Sequence, residues 1–286
     1  LPRMRRSAGP ILLLALLLAA GPAIPAATPA TRDGAEVMAR FHARLAAPDC
    51  RDASPRWKRH YAHAAQDLAG RDAQALMLFG YVLDALLAAD LPAEFALIPF
   101  VESRYHPDVR SPGGQVGLWQ FTAATARRHG IRIRSGIDER RSIPIATRAA
   151  VRHLQRLQRT LGGDWRTIAI AYNAGEGALR ASRRTGGKPL NGIARSYPAK
   201  LHAIACLLAD RGAQARWQAA VARQVPRLVG RELPAGTRDL HAWARAQGHD
   251  PTLVAALNPG WRSGMREVLA PVSAAGAGPD PAGEAN

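Results

Sequence analysis

Between residues 35 and 210 the apolar side chains recur at spacings of three and four, in segments closed by Gly, Pro or Asp, and strand-like alternation is scarce. That period lets an α-helix bury one face, so a chain written this way folds as packed helices. Leu76, Phe79, Leu83 and Leu86 mark one helix, closed by Leu91-Pro92. A second is expected after Pro92, carrying Phe95, Ile98 and Val101, with Pro99 bending or ending it. A third runs from Thr122 to a glycine stop at Gly130, and a fourth from about Ile145 to Leu161, with Ala150, Leu154, Leu157 and Leu161 inward and Gly162 as its stop. Asp164 then caps a helix through Trp165, Ile168 and Tyr172, and a last one holds Leu201, Ile204 and Leu208. Beyond residue 212 the pattern changes to a β-prone stretch at 225–233, two short helical patterns divided by Gly248 and Asp250-Pro251, and then Val268-Leu269. This reads as a separate small module.

A chain of 286 residues, 47% of them hydrophobic, has room for one main domain and such a module. Its 39 Lys+Arg against 22 Asp+Glu, a formal charge of +17, call for a partner bearing negative charge. Long-range attraction does not choose among nucleic acid, anionic lipid and a carboxylate-rich wall polymer. The first residues choose a compartment. Arg3, Arg5 and Arg6, an apolar run from Ile11 to Ala20 and small residues around Ala23 to Ala27 have the layout of a secretory signal peptide at 1–27. The run is shorter than the roughly 20 apolar residues that span a bilayer, so no stable membrane insertion is expected. No cysteine follows it to carry a lipid. Export to the periplasm removes nucleic acid as a natural partner, and it places Cys50 and Cys206 where disulfides persist. The two cysteines either pair or stand as unrelated buried thiols.

The sequence has no HExxH, CxxC, GxxxxGK[ST] or GxSxG, so neither a metal nor a cofactor is expected. Three motifs remain: Glu102-Ser103 at the end of an apolar helix, Gly117-Leu118-Trp119-Gln120, and Ala171-Tyr172-Asn173-Ala174-Gly175. In this order they resemble the lytic transglycosylases with a goose-lysozyme-like catalytic domain. The wording Leu97-Ile98-Pro99-Phe100-Val101-Glu102-Ser103 is most similar to the membrane-bound lytic murein transglycosylase D family. The resemblance covers about residues 36–210 and continues into the C-terminal module. It implies a mainly α, lysozyme-like α+β catalytic domain at 91–212, behind a helical N-terminal extension at 28–90. Glu102 falls on the family's catalytic acid/base, and Ser103, Ser111, Gln120, Tyr172, Asn173 and Tyr197 on its substrate-binding residues. Among these, Ser111 matches a serine that contacts the sugar's N-acetyl group, and Gln120 matches a glutamine that lines the groove. Trp119 stands where the family more often has Met, which alters one sugar contact. Tyr197 is followed by Pro198 where the family has an aliphatic residue, and the preceding Glu-Thr is absent.

Residues 225–272, with Leu240-x-x-Trp243-Ala244-x-x-x-Gly248 and Leu257-Asn258-Pro259, resemble a degenerate LysM repeat, a small βααβ unit that binds glycan. A helical pair that merely packs on the catalytic domain is the alternative, with Trp243 as core. The tail at 273–286 has too little apolar side chain to pack and is expected to be disordered.

The implied substrate is the glycan strand of peptidoglycan. An acid that donates a proton near neutral pH must be kept protonated, and apolar neighbours such as Ile98, Phe100 and Val101 do that by destabilising the charged form. Most glycosidases also need a second carboxylate. Asp108 and Glu176 are nearest in sequence, at positions the family does not use. Without one, the N-acetyl carbonyl of N-acetylmuramic acid attacks its own anomeric carbon. Glu102 then takes the C6 hydroxyl proton, which closes a 1,6-anhydro ring. A hydrolytic muramidase of the same fold and a non-catalytic peptidoglycan-binding protein are the rival readings.

Overall fold

The computed structural model describes residues 30–70, 74–209 and 214–273. The signal peptide expected at 1–27 and, but for its first residue, the tail at 273–286 lie outside the described residues.

The fold is mainly helical. β1 (Thr31–Asp33) runs into α1 (Gly34–Ala43), where the Asp33 carboxylate caps the Ala35 N–H. Two short helices follow, α2 (Pro55–His60), capped by Ser54, and α3 (Ala64–Leu68). α4 (Gln74–Ala88) then places Leu76, Phe79, Leu83 and Leu86 fully inside the main core. That core is continuous with Phe95, Leu97 and Ile98, so side chains from both sides of residue 90 pack as one body.

Pro99 neither bends nor ends its helix. The chain from Ala93 to Leu97 forms a 3₁₀ turn, and Pro99 opens the next helix, α5 (Ile98–Ser103), at a first-turn position where no backbone N–H is needed. α6 (Ala123–Arg128) starts on the Thr122 cap and is followed by Gly130 at φ +77°. A two-strand hairpin, β2 (Ile133–Arg134) with β3 (Ile137–Asp138), precedes α7 (Ile143–Leu161). Asp164 caps α8 (Trp165–Ala174), and α9 (Glu176–Ser182) follows through Gly175. α10 (Gly192–Ala209) keeps Pro198 inside it and crosses α2, α8 and the 3₁₀ turn. α11 (Gln214–Val221) leads to β4 (Gln224–Pro226), which pairs antiparallel with β1.

The C-terminal unit runs β5 (Leu228–Glu232), α12 (Leu240–Ala246), α13 (Pro251–Leu257), β6 (Glu267–Pro271), with β5 and β6 antiparallel. It has a small core of its own, Leu240, Ala244, Val254, Val268 and Ala270, with Trp243 packed part-buried at its margin. Leu257 and Leu269 belong instead to the main core. Buried Asn258, in the Leu-Asn-Pro sequence, donates to the Val254 and Leu269 carbonyls (2.8 and 2.7 Å) and accepts from Leu269 N–H (2.8 Å). Its amide is a strut of the fold. Glu139, fully buried, accepts from Arg132 on one side and from Arg266 of the C-terminal unit on the other (2.9 Å), and Arg148 holds Glu267 at 2.5 and 2.7 Å. A disulfide joins Cys50, just ahead of α2, to Cys206 of α10, with Cα atoms 5.6 Å apart.

Candidate active site

Glu102 sits in the last turn of α5, which stops there because Arg104 and Tyr105 both adopt left-handed backbone (φ 52° and 62°). Left-handed non-glycine residues cost about 1 kcal/mol each or more, and such cost persists only where surroundings over-determine it. Here Tyr105 is buried, its ring packs on Phe100 at 4.9 Å and its hydroxyl donates to the Ala96 carbonyl at 2.6 Å. The turn is thereby locked and the carboxyl is aimed.

Tyr197 of α10 donates its hydroxyl to Glu102 Oε1 at 2.6 Å. Burial pushes the Glu102 carboxyl above the usual range, and the Tyr197 hydrogen bond and the Lys200 charge pull only partly the other way. Lys200 Nζ lies 4.9 Å over the Trp57 ring and 5.9 Å over Tyr197, and Tyr61 is raised to about 12 by burial and by the charge of Glu102. The acid therefore has a back wall from α2 and α10. Nothing in the motifs points to Trp57, Tyr61 or Lys200, which reach the site only through the packing of those helices.

In front of Glu102 opens a cavity of about 730 Å³ that Ser111, Gln120, Tyr172 and Asn173 also line. Ser111 hydrogen-bonds the Gln115 side chain and caps its N–H at 3.1 Å. Gln120, left-handed at φ 47°, donates to the carbonyls of Val109 (3.1 Å) and Gly117 (2.8 Å), so it shapes the loop it belongs to. Gly117 is at φ 86°, and a Cβ there would meet the Arg140 carbonyl oxygen at 2.0 Å. The motif glycine is thus required by close packing. Tyr172 donates to the Trp119 carbonyl at 2.8 Å, and the Asn173 amide has no partner among the described residues.

Two motif residues lie elsewhere. Ser103 is buried and donates to the Leu118 carbonyl at 2.8 Å, tying α5 to the Gly-Leu-Trp-Gln loop behind the cavity wall. Trp119, expected to alter a sugar contact, is fully buried with its Nε1 on Thr147 Oγ1 at 3.1 Å, because its side chain fills the space between that loop and α7. Of the two sequence-adjacent carboxylates, Asp108 is exposed and does not line the cavity. Glu176 does line it, but its oxygens are taken by Arg156 (2.7 Å) and Arg180 (2.9 Å). Those hydrogen bonds hold its carboxyl below the usual range. One carboxyl in the cavity is poised to keep a proton and the other to lose it.

Residues 87–191 match the family model of the transglycosylase SLT domain. Over 96 residues the chain is 35% identical to membrane-bound lytic murein transglycosylase D of Escherichia coli K12, covering 34% of this chain and 21% of that protein. It is 41% identical over 83 residues to peptidoglycan transglycosylase gp16 of Escherichia phage T7, covering 29% of this chain and 6% of that protein. The chain thus spans about a fifth or less of the length of these relatives. A crystal structure of the 70 kDa soluble lytic transglycosylase SLT70 from Escherichia coli aligns with a TM-score of 0.36 and 17% identity, over 72% of this chain and 33% of that one.

Proposed function

We propose that this chain is a periplasmic peptidoglycan lytic transglycosylase, cutting between N-acetylmuramic acid and N-acetylglucosamine with Glu102 as its one acid/base. The observation that carries this reading is a carboxyl whose pKa burial raises, hydrogen-bonded by Tyr197 and opening on a polar cavity within the stretch that matches a transglycosylase domain. Glu102 gives its proton to the leaving glycosidic oxygen while the muramyl N-acetyl carbonyl attacks the anomeric carbon from the other face. The resulting carboxylate, still holding the Tyr197 hydrogen bond, removes the C6 hydroxyl proton. The C6 oxygen then displaces the N-acetyl oxygen and closes the 1,6-anhydro ring. No water is consumed. Ser111 and the free amide of Asn173, which line the cavity, would orient the sugar. Among the described residues no helix is long and apolar enough to cross a membrane. The C-terminal βααβ unit would add affinity for the wall.

Glu102→Gln should preserve fold and strand binding, since the amide oxygen still accepts from Tyr197, and should lower cleavage by about 10²- to 10⁴-fold. Mass analysis of wild-type products from purified wall should give 1,6-anhydro ends, one water lighter than hydrolysis would. A second reading, hydrolysis with Glu176 as base, is favoured only by the presence of Glu176 in the same cavity. Reducing-end products from the wild type would convert the assignment to it, and substantial turnover by Glu102→Gln would sink both.

A further inference from the structure

Away from the catalytic carboxyl, three helices each contribute to the cavity lining a pair of residues about one turn apart. They are Thr125 and Arg128 on α6, His153 and Arg156 on α7, and Glu176 and Arg180 on α9. Residues so spaced share a helix face, so all three helices turn a polar edge to the same space. Within it Glu176 is shared by Arg156 and Arg180, while Arg128 is exposed and has no hydrogen-bond or ion-pair partner among the described residues. Three guanidiniums against one carboxylate leave this part of the cavity positive. Its buried member, His153, lies 3.1 Å from His129 and is pushed down to about 4, first by burial and then by the charges of His129, Arg156 and Arg128. A guanidinium left over beside neutral hydrogen-bonding groups suits a planar anion, whose two oxygens match its fork.

Taking the cavity as a peptidoglycan groove, as proposed above, we propose that Arg128, backed by Arg156 and Arg180, forms an anion subsite for a carboxylate on the lactyl–peptide arm of the glycan strand. That carboxylate belongs either to the peptide, in substituted strands, or to the lactyl group itself, where the peptide has been removed. The subsite makes strand recognition depend on the charge of the arm as well as on the sugars.

The test uses binding by the full chain carrying Glu102→Gln, with and without Arg128→Ala, to four probes: peptide-bearing strands, peptide-stripped strands, and each of these with its carboxyls converted to amides. Removing Arg128 should weaken binding about fivefold for the strand whose carboxylate is used and leave amidated strands unchanged, with Arg128→Lys recovering part of the loss. A loss confined to peptide-bearing strands assigns the peptide carboxylate, and one confined to stripped strands assigns the lactyl group. Equal effects on native and amidated strands, or no effect on any, overturn the subsite. Because the readout is binding, a wild type that holds strands without cutting them would defeat the transglycosylase reading while this proposal stood or fell separately.

Discussion

At the scale of single residues, the site turns on how Tyr197 and Glu102 share a proton economy. The phenol is buried and its pKa is pushed well above its ordinary range, first through desolvation and then through the Glu102 charge, so it keeps the proton that it donates to the carboxylate. Its hydrogen bond favours the ionised carboxylate, against the burial that favours the acid. Removing it in Tyr197→Phe should therefore raise the Glu102 pKa further. The alkaline limb of the pH–rate profile, where the acid is lost, should move to higher pH. The maximal rate should fall roughly 10- to 100-fold, the worth of a hydrogen bond to a charged group, because the carboxylate proposed to accept the C6 proton has lost its donor. A limb that stays put or moves down would show that Tyr197 does not set this equilibrium. Lys200, which favours the charged form as well, should shift the limb in the same direction when replaced by Met.

Among elements, α2 is held against α10 by the Cys50–Cys206 bridge, with His202 donating its Nε2–H to the Asp49 carbonyl, 2.9 Å away, and Trp57 lying under Lys200. A bridge closing a separation of 156 residues restricts the unfolded chain by up to about 5 kcal/mol in loop-entropy models. Reductant should lower the melting temperature, and should lower activity below that temperature too, since α2 supplies the back wall of the acid. Identical melting with and without reductant would show that the bridge does not constrain the fold. The same scale shows what the sequence could and could not tell. Helix ends were legible where a local residue makes them, as Thr122, Asp164 and Gly162 do. Mainly helical character followed from the apolar period. Pro99 departs from the sequence expectation because the preceding 3₁₀ turn takes up the residues before it, leaving Pro99 in the first turn of α5. Trp119 faces the core and not a sugar because a motif position does not determine which way a side chain points. Arg128, His153 and Arg180 carried no signal at all, since only the packing of α6, α7 and α9 brings them to one cavity.

For the whole molecule, the C-terminal unit is docked through buried charge. Burial alone would push the Glu139 carboxyl up, but hydrogen bonds from Arg132 and Arg266 outweigh it, and the net shift is downward. A lowered carboxyl adds stability that is fully present above its ordinary value of 4.5 and is lost as pH falls through the depressed folded value. Thermal stability should thus decline in acid from about pH 4.5 downward. Glu139→Gln should flatten that decline and cost about 2 kcal/mol at pH 7, by leaving Arg132 and Arg266 without their shared anion. Equal pH profiles for the two proteins would remove Glu139 from the docking. A chain stopped near residue 213 would also strip Leu257, Leu269 and Val225 from the main core, so the glycan affinity of the unit is better probed by substitutions on its exposed face.

The pairing of β1 with β4 bears on the order of events during synthesis. Thr31, Arg32 and Asp33 find their partners at Pro226, Val225 and Gln224, with Arg227 and Arg223 bonding Ala30 and Gly34 at either end. A chain emerging N-terminus first therefore carries an unpaired edge until Pro226 is out, because contacts this distant in sequence must wait for the closing segment. The groove helices can assemble earlier, β1 waits for β4, and the pairing of β5 with β6 waits longer still, until Pro271 has followed.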